Sequence, residues 1–357
     1  MVRSHQENNR ESSLITEITQ LIHQLPHHKH GKWIERALTV LLRIANDELE
    51  RLDWKILASS LEDLEKGFQT FYPFRHLRKI TIFGSARIER DQIEYLLAVE
   101  FARRVTELGF MVLTGAGGGI MQAANEGATR QHSFGLNIQL PFEQQANEFI
   151  RNDQKLINFK YFFTRKLFFL RESDAVALFP GGFGTQDEAF ETLTLSQTGK
   201  YGPAPLVLID QPGGDYWQSW HDQICKNLVA KGLISPEDVN LFTITDDLDQ
   251  ACAIISNFYR VYHSSRFVRQ KFVMRLNSEI SDEVVEQLNV EFSDILLMGR
   301  IEKSQALPEE IGDLTENLPR LVFDFNQKKQ GRLYQMIKKI NLLGGSLPPL
   351  LTINFDN

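Results

Sequence analysis

Three glycine-rich turns and one cluster of charged side chains are the parts of this sequence whose types and spacing bear on chemistry. The turns are Phe83-Gly84-Ser85-Ala86-Arg87, Thr114-Gly115-Ala116-Gly117-Gly118-Gly119 and Pro180-Gly181-Gly182-Phe183-Gly184-Thr185. Each follows a short apolar run and precedes a helical pattern. Glycine at such a place lets the backbone approach a ligand closely and adopt φ > 0. The free N–H groups and the dipole at a helix start favour an anion. One such turn would be explained by packing alone; three at the ends of three strands point to a phosphate-bearing ligand.

The third turn leads into the charged cluster. Thr185 is followed three residues later by Glu188, the spacing of a capping box, in which Thr185 would cap the helix and Glu188 would reach back to it. Asp187 and Glu191 crowd the same helix start, and Phe163-Thr164-Arg165-Lys166 opens a helix that runs into the strand before the turn. Two readings stand for each key residue. Glu188 is a cap or a site carboxylate; Arg165 is a surface residue or reaches across the cleft. Two familiar nucleotide motifs fail on spacing. A G-x-G-x-x-G counted from Gly115 ends on Ile120, and one counted from Gly117 ends on Gln122. None of the turns carries the Gly-Lys-Ser/Thr of a P-loop. Hydride transfer and triphosphate hydrolysis therefore have no motif behind them.

The elements that must position these residues follow from the hydrophobic pattern. Strands are expected over 79–85, 111–114, 135–140, 174–179, 205–210 and 241–244. They alternate with helices over 93–108, 119–129, 185–194, 216–230 and 248–259. That alternation specifies an α/β fold, a doubly wound Rossmann-like parallel sheet spanning residues 75–262, with ligands at the carboxyl ends of its strands. Residues 1–74 read as a helical N-terminal extension, helical from Leu14 to Phe71 with a break at His27–Gly31. Residues 263–357 read as a small α+β domain with regulatory or oligomeric character. Its strands are expected at 267–276, 296–301 and 320–325, and its helices at 281–292 and 331–343, in a ferredoxin-like arrangement.

Composition sets the outer limits. The 357 residues are 42% hydrophobic and 24% charged, enough apolar residue for a sizeable core. A net charge of −7 argues against general nucleic-acid binding, which rests on Lys and Arg neutralising phosphates. No apolar run is long enough to span a membrane, and the polar start lacks a signal-peptide core, so a cytoplasmic protein is expected. Cys225 and Cys252 are too few for a disulfide framework or structural zinc site. His27, His28 and His30 lie between Pro26 and Gly31, with His23 shortly before them and no acidic or Cys residue beside them in sequence, and they read as an exposed loop rather than a metal site.

Pro180-Gly181-Gly182-Phe183-Gly184-Thr185-Gln186-Asp187-Glu188 resembles the PGGxGTxxE motif of the Lonely Guy (LOG) family, often labelled lysine decarboxylase-like. Arg165-Lys166 resembles that family's Arg-Lys pair. The first two turns and Asn125-Glu126-Gly127-Ala128 also resemble family segments, over about residues 79–210. Asp187 stands where many members have Glu, and Gly118 where long bacterial members often have Pro. The resemblance implies a nucleoside 5′-monophosphate phosphoribohydrolase, giving free base and ribose 5-phosphate. It implies Glu188 and Arg165 as catalytic residues. Substrate would be bound by Gly84, Ser85, Gly115, Gly117, Gly118, Gly119, Lys166, Gly181, Gly182, Gly184 and Thr185. No metal or organic cofactor is expected, and the partner expected is a second copy of the chain, as a homodimer or larger homo-oligomer. Phe134, Phe142, Phe162 and Phe163 are candidates for base contact or for core packing. The old family label would require a pyridoxal phosphate Schiff base, for which Lys166 is the one Lys in the core motif.

Overall fold

The computed structural model describes residues 29–140 and 145–344. The chain divides into two compact units at Glu62/Asp63. The first contains helix α1 (Gly31–Ala45) and the beginning of α2 (Arg51–Phe71). The expected helical stretch from Leu14 lies outside the described residues as far as residue 28, as do His23, His27 and His28.

The second unit holds a seven-stranded sheet. Its strands are β1 (Lys79–Phe83), β2 (Met111–Thr114), β3 (Ser133–Ile138), β4 (Leu156–Phe159), β5 (Ala175–Leu178), β6 (Leu206–Ile209) and β7 (Thr243–Thr245). They pair in the order β4-β3-β2-β1-β5-β6-β7, every pair parallel. Alternate side chains face opposite layers. Ile80 and Ile82 join α3 (Ile93–Glu107), α4 (Ile120–Ala128) and α8 (Leu248–Phe258) in one apolar core. Phe83 joins the core on the other face, with side chains of α5 (Phe162–Arg171), α6 (Phe183–Gln197) and α7 (Tyr216–Ile224). Burial on both faces explains why these strands are continuous apolar runs. The doubly wound Rossmann-like class is thus what the chain adopts.

Three local readings need correction. β4 has no counterpart among the expected strands: four residues alternating buried Ile157 and Phe159 around exposed Asn158 are too short to show a period. The helix expected to begin at Thr185 begins at Phe183. The helix expected over 216–230 is α-helical only to Ile224 and continues as a π turn, Cys225–Val229.

A small antiparallel sheet follows, in the order β10-β11-β9-β8, from β8 (Tyr262–Val268), β9 (Lys271–Leu276), β10 (Leu296–Ser304) and β11 (Arg320–Phe325). With α9 (Asp282–Glu291) and α10 (Gln330–Leu343) it encloses a core that also takes in Leu241 and Phe258. Ser281 caps α9 by accepting from the Val284 amide, at 3.3 Å. The single strand expected over 267–276 is a hairpin, because Arg269 turns the chain with φ of 53°. Only a glycine or Asn would have signalled that turn in sequence. Two strands therefore precede the first helix, so the chain order of the elements differs from the βαββαβ order of a ferredoxin-like unit. No described helix is long and apolar enough to cross a membrane.

Candidate active site

β1 lies between β2 and β5, so the three glycine-rich turns emerge side by side at the carboxyl ends of adjacent strands. The chain runs outward from β1 to β4 on one side and returns to β5 on the other. The turns therefore sit at the topological switch point of the sheet, where open α/β folds bind ligands. Backbone bonds lace them together. The Ser85 amide donates to the Pro180 carbonyl at 3.0 Å, and the Ile120 amide to the Ser85 carbonyl at 3.0 Å. Glycine is required at two points of this lacing. A Cβ on Gly84 would lie 2.7 Å from the Ile120 side chain, and one on Gly119, at φ of 61°, would collide with the Ser85 carbonyl. Gly119→Ala is expected to combine that collision with left-handed strain of roughly 1–2 kcal/mol. Thermal melting should show lost stability.

A cleft of about 890 Å³ opens over these turns, a volume that suits a small ligand. Gly84, Ser85, Gly115 and Gly117 line one side; Gly181, Gly182, Gly184 and Thr185 line another, with Arg165 and Glu188 also in the wall. Gly118, Gly119 and Lys166 are not among its walls. The second turn is held from behind by a buried polar network. The Asn147 side-chain amide donates to the Gly117 carbonyl (3.0 Å) and to Asn125 Oδ1 (2.9 Å), which also accepts from Thr114 Oγ1 (2.8 Å).

The start of α6 differs from a capping box. Gly182 is the N-cap residue, and no side chain among the described residues caps the helix. Thr185 and Glu188 both lie inside it, so the capping reading of Glu188 falls. Without a side-chain cap, the amides of Phe183, Gly184 and Thr185 open the helix toward the cleft, as an anion site requires. Thr185 is buried, its Oγ1 packed close to Gly181. The Ser85 hydroxyl accepts from the Arg87 amide at 3.1 Å, which leaves its own hydrogen free to donate.

Glu188 is 8% exposed. Its Oε1 lies 3.3 Å from Lys166 Nζ, and its Oε2 is buried with no hydrogen-bond partner among the described residues. Burial pushes its carboxyl pKa up to about 7; the nearby Lys166 and Arg165 cations pull it down, and the Glu191 charge adds to the rise. Lys166 is also paired with Glu191 at 2.6 Å and Asp187 at 2.9 Å. Burial disfavours its charge, but these hydrogen bonds outweigh that and hold its pKa well above the usual lysine range.

Arg165 is not a surface residue. It is half-buried, its Nε donates to the Leu136 carbonyl at 2.7 Å, and its guanidinium lies 5.0 Å over the Phe169 ring and against Gly115. Burial lowers its pKa to about 10, and Glu188 opposes the fall. A guanidinium at that value remains charged at neutral pH. Arg87 joins the cleft wall as an exposed cation that the reading of the first turn passed over; its place directly after Gly84-Ser85-Ala86 was the available signal. Of the candidate phenylalanines, Phe134 is core, stacked 4.7 Å from Phe71. Phe162 is exposed at the cleft, Phe163 is exposed and stacked on Tyr161, and Phe142 lies outside the described residues.

No curated protein matches the chain. Among solved structures it is similar to the protein TM1055, at 21% identity over 50% of this chain and 98% of that one, with a TM-score of 0.37. It is also similar to the molybdenum cofactor carrier protein of Chlamydomonas reinhardtii, at 19% identity over 50% and 95%, TM-score 0.34. The molybdenum cofactor binding protein of Rippkaea orientalis gives 16% identity over 50% and 96%, TM-score 0.36. Residues 121–255 match the family model described as possible lysine decarboxylase. That span contains Arg165, Lys166 and the whole Pro180–Glu188 motif, so the family model matches the part of the chain whose residues resemble the Lonely Guy family.

Proposed function

We propose that the protein hydrolyses the N-glycosidic bond of nucleoside 5′-monophosphates, releasing free base and ribose 5-phosphate. The observation that carries this is Glu188, a buried carboxylate in the wall of a nucleotide-sized cleft, with one oxygen unpartnered among the described residues, on the helix whose start at Gly182 suits a phosphate. The phosphate would sit on the amides that open α6, with the Ser85 hydroxyl beside it. Binding energy from this remote group orients the reacting carbon. As the C1′–N bond breaks, its electron pair leaves with the base and positive charge develops on the ribose. Ionised Glu188 stabilises that charge and orients a water. The water oxygen bonds to C1′, and its proton passes to the base or to solvent. Arg165 holds the phosphate or the base, or fixes Glu188; a guanidinium is a donor of hydrogen bonds and not of protons here. The reaction requires neither a metal nor an organic cofactor.

A pyridoxal phosphate decarboxylase fits these residues poorly. A Schiff-base lysine must present a neutral amine, whereas Lys166 is bound by three carboxylates that stabilise its charge. AMP-like nucleotides and cytokinin riboside monophosphates both satisfy the proposed chemistry and differ in the room needed at N6 of the base. We also infer at least a homodimer: Phe162, Phe163, Phe183 and Phe190 are exposed, and apolar surface of this kind is suited to a second copy.

The test is base release from a panel of 5′-monophosphates. Adenine and ribose 5-phosphate from AMP are expected. Tight nucleotide binding with no release from any member would replace the enzyme with a nucleotide-binding regulatory protein.

A further inference from the structure

We propose that Asp63 is a positioning residue for the cleft, fixing the first turn of α5 and thereby the place of Arg165. This rests on the reading of Arg165 as part of the site. Asp63 is 1% exposed and takes part in no ion pair among the described residues. Its carboxylate accepts from the Lys160 amide (3.0 and 2.9 Å), the Tyr161 amide (3.1 Å) and the Thr164 hydroxyl (2.6 Å). Tyr161 is the N-cap residue of α5 and offers no capping side chain. The carboxylate from a distant segment thus ties the two residues that lead into the helix to the hydroxyl of its third residue, and its charge lies at the favourable end of the helix dipole.

The surrounding packing leaves little freedom for this contact to drift. A Cβ on Gly67 would overlap the Phe168 ring, and the Phe68 and Phe71 rings lie 5.5 and 5.9 Å from it. The segment Asp63–Phe71 is thus seated directly on α5. Arg165 follows Thr164 by one residue, and its side chain is tethered at the far end by the Leu136 carbonyl. One end of Arg165 is set by Asp63 and the other by β3, so losing the first anchor moves the guanidinium relative to Glu188 and the glycine turns.

A double-mutant cycle tests this. Asp63→Ala is expected to lower AMP turnover by about 10- to 100-fold, the cost of a misplaced site group, with a smaller change in KM. In an Arg165→Ala background the same substitution should add little, because it acts through Arg165. Asp63→Asn, which keeps one acceptor oxygen, should recover part of the loss and carries the cycle if the Ala variant does not fold. Equal losses in both backgrounds, or unchanged turnover in folded Asp63→Ala, would overturn the proposal. AMP affinity is measured in the same four proteins. If the unaltered protein binds AMP without releasing base, the hydrolase reading fails, and the cycle in Kd still decides the role of Asp63.

Discussion

Glu188→Gln should reduce base release by about 100-fold or more, the scale on which a positioned catalytic carboxylate acts, while the protein stays folded. The structure makes the second half of this expectation firm. Because Glu188 lies inside α6 and does not cap it, replacing the carboxylate removes no helix-end hydrogen bond. The substitution should in fact stabilise the protein at alkaline pH. The folded-state pKa of Glu188 is raised to about 7 from an ordinary 4.5, chiefly by burial. A raised pKa means that this group favours folding below about pH 4.5, and that the contribution is lost as pH rises through about 7. Above pH 7 the native state must hold a buried charge that solvent would hold more cheaply. Gln is free of that demand. Melting curves at pH 5 and pH 8 should therefore show Glu188→Gln gaining on the unaltered protein as pH rises. A stable, inactive variant separates a site residue from a packing residue; a variant with near-normal turnover would remove Glu188 from the chemistry.

The features that made the cleft readable in sequence are local. Each glycine-rich turn follows its strand directly, and parallel α/β topology brings strand ends together, so Gly84, Gly115 and Gly181 could be expected to meet. Arg165 and Glu188 were traceable because each sits close to a strand that enters the sheet. The start of α6 was misread because capping rules look for an oxygen-bearing side chain, and Thr185 supplied one at the wrong position. The true cap, Gly182, leaves the amides open, which is what an anion needs and what a helix-stability rule does not look for. β4 and the Arg269 turn were missed for lack of length and of glycine. Asp63 was out of reach for a different reason. Nothing in the local pattern of α2 says that one of its carboxylates will serve a helix about 100 residues later; such a contact exists only in three dimensions.

Lys166, expected among the substrate-binding residues, lies outside the cleft wall and is paired with Glu188, and it supplies the second large effect. With Glu188 active as the carboxylate, kcat/KM should rise with pH and reach half its plateau near pH 7. The ionised fraction alone gives about a tenfold change between pH 6 and pH 8. Substrate phosphate also titrates, near pH 6, so a rising limb by itself would be ambiguous. The neighbours of Glu188 resolve it. Lys166 is the strongest influence holding its pKa down, whereas the Glu191 charge pushes it up. Lys166→Met should therefore move the midpoint to higher pH and cost most of the activity at pH 7, with recovery as pH is raised further. Glu191→Gln should move the midpoint the other way. A phosphate titration would be indifferent to both changes, since neither residue is in the cleft wall. Opposite shifts from two neighbours of one carboxylate would identify Glu188 as the titrating group, and a midpoint fixed in both variants would show that the activity is governed by another ionisation.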